Sequence, residues 1–191
     1  MKIKKTFTEK FIEEQSKNKI QSKPESINWT WLESDEPKYH LRKNNDKTIY
    51  QPYNNCIAIT KGTLIIESGE IYFTLLFEPL QCCVFAGIFP IENEKYNEGR
   101  NFLSKLDFWR LWPDYCDPHS NFPGPVIDAG FYVNMNSKLL ILFDNKKNKE
   151  IHRINFPSNW TKVCPAVNFK HVVSITISSD AVRGKPDFIK I

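Results

Sequence analysis

The chain has 191 residues and a formal net charge of +4, enough length for one domain with a substantial core and a modest extension. All of that charge sits in residues 1–24, which hold seven lysines and three glutamates, while the remainder carries 19 basic and 19 acidic residues. A neutral body argues against nucleic acid as a partner, because phosphate binding needs basic side chains gathered on one surface.

Aromatic content of 14% with 12 prolines and 7 glycines favours strands and turns over a helical bundle. No run approaches the roughly 20 apolar residues of a membrane-spanning helix, and the start lacks the apolar core of a secretory signal. The expectation is a cytoplasmic protein with no membrane partner. Five cysteines, Cys56, Cys82, Cys83, Cys116 and Cys164, fit free thiols in a reducing compartment, since they are odd in number and show no paired spacing. Asn28-Trp29-Thr30 and Asn159-Trp160-Thr161 match the glycosylation acceptor pattern, which has chemical meaning only on a secretory route, so both are read as coincidence.

In chain order, residues 6–20 predict a helix, with Thr6 and Glu9 as a capping box and Phe7, Phe11 and Ile12 on one side. Ser22-Lys23-Pro24-Glu25-Ser26 breaks that pattern, giving an N-terminal helical extension over 1–24 and a β domain over 25–191. Short strands are expected at Ile27–Leu32, Tyr39–Arg42, Thr48–Tyr50, Cys56–Thr60 and Thr63–Glu67, and stronger ones at Ile71–Phe77 and Cys82–Phe89. Residues 91–106 are polar without a strand pattern, Phe108–Trp112 forms a further candidate strand, and Pro113–Pro125 reads as a loop.

The clearest signal follows. Ile127, Ala129, Phe131, Val133 and Met135 alternate with Asp128, Gly130, Tyr132 and Asn134, the period of a strand with one buried face. Lys138–Phe143 is a short apolar run that suits a strand covered on both faces and that periodicity alone does not tell from buried helix, and His152, Ile154 and Phe156 resume the alternation beyond the Asp144–Asn148 turn. Val163–Phe169 and Val172–Ile177 are the last expected strands. Such a meander needs a second sheet to cover its apolar face, so the fold class is mostly β, an antiparallel sandwich with a short N-terminal helix.

Several separated pieces, in order, carry a family resemblance. Trp29-Thr30-Trp31, Tyr39-His40-Leu41-Arg42 and Asn45–Ile49 look like opening strands, Ser68-Gly69-Glu70-Ile71-Tyr72-Phe73 like a hairpin, and Val84-Phe85-Ala86-Gly87-Ile88 like the strand after it. Ile127–Phe131 with Leu139–Asp144, and Val163-Cys164-Pro165-Ala166-Val167, complete the set. Over residues 27–178 the chain resembles a SPRY domain, a concanavalin-like jelly-roll sandwich found in many ubiquitin-ligase adaptors. It departs from the family pattern at Phe73-Thr74, where Trp-Glu is frequent, and at Asn134, where an acidic residue is usual.

The resemblance implies a protein-interaction module that takes a short peptide of a partner, with ubiquitin-ligase components as further partners. It places Tyr50, Pro52, Tyr53 and Asn55 in a first binding loop, Arg100 in a second, and Phe169 and His171 in a third. Tyrosine and arginine supply large contact area and directed hydrogen bonds, which suits recognition. The aromatic cluster Trp109, Trp112 and Tyr115 is the fallback surface, and a lectin-like carbohydrate-binding sandwich is the alternative function. Cys116-Asp117-Pro118-His119 holds three metal-capable side chains but no second Cys/His pair to complete a zinc site. No motif joins a histidine to a nucleophile, so neither metal, cofactor nor enzyme activity is expected.

Overall fold

The computed structural model describes residues 25–33, 41–50, 59–78, 84–91, 128–169 and 174–190. The expected helix at 6–20, the strand at Phe108–Trp112 and the Cys116–His119 cluster lie outside them. Twelve strands run through the described residues: β1 (Ser26–Ile27), β2 (Leu41–Lys43), β3 (Thr48–Tyr50), β4 (Ile59–Lys61), β5 (Glu70–Glu78), β6 (Val84–Pro90), β7 (Asp128–Asn134), β8 (Leu139–Asp144), β9 (Lys149–Asn155), β10 (Val163–Phe169), β11 (Ser174–Ile177) and β12 (Ala181–Arg183). Every pairing between them is antiparallel. The larger sheet runs β2-β3-β11-β5-β7-β8-β9, with β12 joining β5 and β1 joining β12; the smaller runs β4-β10-β6.

Local chemistry sets the turns. Asn44, Asn45 and Asp46, between β2 and β3, have φ of 52°, 53° and 61°, a left-handed stretch that short polar side chains tolerate better than others. Asn134 caps the β7–β8 turn by accepting from the backbone N–H of Asn136 and Ser137 at 3.0 and 2.9 Å. Asp144 does the same at the next turn, accepting from the Lys147 N–H at 3.1 Å while Lys147 Nζ sits 3.1 Å from its other oxygen. The meander read from the sequence is therefore β7, β8 and β9, with one register shift at Leu142/Phe143.

The two sheets close on one core. Phe73 stacks on Phe131 at 5.0 Å between centroids, and Trp29 meets Phe73 and Trp31 edge-on at 5.6 and 5.3 Å. Leu140, Leu142 and Ile175 of the larger sheet share this core with Ala86, Ile88 and Val167 of the smaller. Burying such a side chain is worth about 1.5–3 kcal/mol relative to leaving it exposed. Gly62 is required where Trp29 lies against the chain, since a Cβ there would fall 2.6 Å from the indole ring.

Four elements differ from the sequence reading. The expected strand Ile27–Leu32 pairs in a ladder only at Ile27, with a single isolated bridge beyond it, at Trp31. Thr63–Glu67 keeps alternating burial but forms no ladder, only an isolated bridge from Ile66 to Val163, beside another from Gly62 to Trp31. Strand β12 was not expected. Its register, Val182 on both Ser26 and Tyr72, ties the start of the domain to β5. Beyond it, residues 184–190 lie against the outer face of the larger sheet and bury Ile189 among Tyr132, Leu139, Ile141 and Phe143. That cover is why all six residues of β8 are buried, as a strand apolar on both sides requires.

Candidate functional site: the end of the sandwich where the sheets are joined

Register fixes which strand termini meet. Leu41 pairs with Tyr50, Tyr50 with Ser174 and Ser174 with Glu78, so β2 and β11 begin, and β3 and β5 end, on one row of the larger sheet. Two rows in, Leu76 pairs with Asp128, the first residue of β7. In the smaller sheet Val84 pairs with Phe169 and Ile59 with Asn168. Residues 51–58 join Tyr50 to Ile59, residues 79–83 join Glu78 to Val84, and residues 170–173 join Phe169 to Ser174. Three crossings between the sheets thus depart from one end of the sandwich.

Tyr50 is the sequence-predicted residue whose side chain the structure places at this end. Ile49 before it is buried in the core, so the period of two turns Tyr50 and Thr48 to the outer face. There Thr48 Oγ1 lies 3.0 Å from Thr176 Oγ1, and the Lys43 ammonium sits 4.0 Å above the Tyr50 ring, a cation–π pair that holds ring and charge together. Leu41, cross-strand from Tyr50, is exposed. Across the row, Ser174 Oγ donates to the Glu78 carbonyl at 3.0 Å. Phe169 closes β10 opposite Val84. Pro52, Tyr53, Asn55, Arg100 and His171 lie outside the described residues, as do Trp109, Trp112 and Tyr115.

The sequence reading also missed a polar chain on the outer face of the larger sheet. Tyr72 Oη donates to Asn145 Oδ1 at 2.6 Å, and Asn145 Nδ2 donates to Asp128 Oδ1 at 2.8 Å. The path runs over Gly130, where a Cβ would stand 2.1 Å from the Tyr72 oxygen. Burial pushes the Tyr72 phenol up to about 12 from an ordinary 10.0, so it stays a protonated donor, and the chain fixes where β7 enters the sheet. The signal in the sequence was a glycine inside a strong strand, which marks a close approach.

Asp144 is buried and paired with Lys147, and the buried Cys164 thiol is pushed up to about 12 by desolvation. A thiol so far from ionising is a packing group, not a nucleophile. Among the described residues no three metal-capable side chains gather. What this end offers is an aromatic ring with a flanking ammonium and an exposed leucine.

No protein-family model matches the sequence, and no curated protein matches it. Solved structures do. The TRIM65 PSpry domain superposes with a TM-score of 0.54 at 9% identity, over 78% of this chain and 91% of that one. Stonustoxin gives 0.55 at 10% identity, over 78% of this chain and 28% of its own. The fold is therefore a SPRY-like antiparallel sandwich.

Proposed function

We propose that this chain is a protein-interaction module that recognises a short peptide segment of a partner at the end where Tyr50, Glu78, Phe169 and Ser174 meet. The observation that carries this reading is the row of termini from which residues 51–58, 79–83 and 170–173 all cross between the sheets. Binding residues placed on loops over a rigid scaffold are the common arrangement in such folds. Tyr50 contributes aromatic area, Lys43 an ammonium for a peptide carboxylate, and Pro52, Tyr53, Asn55, Arg100, Phe169 and His171 the rest of the surface. The likeness to the TRIM65 PSpry domain supports a finer reading, the substrate-recognition part of a ubiquitin ligase without catalysis of its own; the cytoplasm as its place of action is proposed from the sequence.

The test is selection of peptides from a random display library on the immobilised protein, followed by calorimetric titration against Tyr50→Ala and Arg100→Ala. Binding weakened by about 1–3 kcal/mol, with melting curves preserved, supports the reading. Full affinity in both variants would remove this end of the sandwich from the function.

A further inference from the structure

The outer face of the larger sheet is apolar where β5, β7 and β8 run together. Tyr132, Leu139, Ile141 and Phe143 are buried there with Tyr72 packed beside them, and the described residues that close over them are a seven-residue strap, 184–190. The strap makes no ladder with the sheet. It leaves β12 through Gly184, whose φ of 95° is open to glycine and rarely to other residues, and Gly184 N–H donates to the Glu70 carbonyl at 2.8 Å.

One adjacent pair of side chains does the docking. Ile189 is 0% exposed within the apolar cluster, while Phe188, 43% exposed, sets its ring edge-on to Tyr72 at 5.6 Å and to Phe143 at 5.7 Å. The backbone is held by side chains. Lys185 Nζ donates to the Ile189 carbonyl at 2.7 Å, and Arg153 Nη2, from the edge strand β9, donates to the Lys190 carbonyl at 3.1 Å. A turn, Ile189 N–H to the Pro186 carbonyl at 3.0 Å, presents the pair. Two of these bonds lie within the strap and shape it, while Arg153 and the Glu70 carbonyl tie it to the sheet; two anchors in an apolar seat and a bond or two to the backbone are how a short peptide ligand sits on a protein.

We propose that this face is a second peptide-accepting surface, separate from the loop end, which the chain keeps filled with its own residues 184–190. It takes a short segment that turns so as to present an aromatic residue next to a β-branched aliphatic one. Because the strap is tethered, it competes at an effective concentration on the order of millimolar. The face is closed to other peptides while the strap is seated and open when it is displaced.

The experiment uses the full-length chain and a labelled synthetic peptide of residues 184–191, followed by fluorescence anisotropy. Ile189→Asp puts a charge where an apolar anchor must sit, and Ile189→Ala removes the anchor more gently. At least one variant, folded by its cooperative melt, binds the peptide saturably and about tenfold or more tighter than wild type, whose seat is occupied. A peptide with Phe188→Ala and Ile189→Ala together does not bind. Folded variants that fail to take up the wild-type peptide, or wild type binding it equally well, would overturn the proposal. Loss of cooperative unfolding in both variants would do so too, since the strap would then be core and not an occupant.

Discussion

Gly130 shows how much one side chain decides. Its missing Cβ leaves the path along which the Tyr72 hydroxyl reaches Asn145. We expect Gly130→Ala to push that phenol away, leave Asn145 Oδ1 without its donor, and cost about 1–3 kcal/mol in denaturant melts, the usual range for overpacking a filled site. Tyr72→Phe should then lessen the penalty of Gly130→Ala in part, because the tightest approach, 2.1 Å, is to the hydroxyl, while the ring carbon at 2.7 Å and Asn145 Oδ1 at 2.6 Å remain. At the core, Phe131 and Leu140 are both fully buried, and changing either to alanine should cost about 2–5 kcal/mol by chemical denaturation. Losses under about 1 kcal/mol at both positions would contradict the packing of the two sheets.

Residue chemistry also fixes a pH dependence. Burial raises the Cys164 thiol from 9.0 and the Tyr72 phenol from 10.0, each to about 12. The folded chain therefore keeps protons that the unfolded chain sheds first, so their contribution is intact below pH 9 and lost as pH rises through 12. Denaturant melts through that window should show falling stability, with a shallower fall in Tyr72→Phe and Cys164→Ala. Identical slopes in all three proteins would contradict the assignment.

Among the elements, β3 and β10 were legible in the sequence to the residue, and β7, β8 and β9 in order, because a period of two with turn residues between runs is a local signal. The faces were legible only in part, since Tyr132 on the second face of β7 is buried too and the register shift beside β9 leaves His152 exposed and packs Ile151 on the core. What was not legible depends on distant partners. Thr63–Glu67 has a strand's alternation, but only Ile66 meets a partner, Val163. Strand β12 is three residues whose identity as a strand comes from Ser26 and Tyr72 on either side, and the Phe188-Ile189 anchor has meaning only against the outer face of β8. Among the described residues, the pairing of β1 with β12 and the Arg183–Glu25 ion pair at 2.7 Å put the first contacts of the β domain at Glu25. A chain that starts at Glu25 should therefore still unfold cooperatively on heating. A broad, non-cooperative melt would place residues 1–24 within the core.

For the whole molecule, the architecture was legible because ordered pieces from Trp29 to Val167 resemble one sandwich family, and the superposed structures share that fold at about one residue in ten. The site was legible only as loop chemistry. Sequence placed Tyr50 at a strand end, but not under the Lys43 ammonium, since that contact is made across the β2–β3 pair. Nor did it place Tyr50 on the row with Ser174 and Glu78, which register alone creates. The central claim is that this row is a binding surface and not merely a well-packed end. Its most direct measurement is the affinity of a display-selected peptide for Tyr50→Ala beside the variant's stability. The account predicts an affinity loss of about 1–3 kcal/mol with stability within about 0.5 kcal/mol of wild type. Unchanged affinity, or a stability loss as large as the affinity loss, would contradict it.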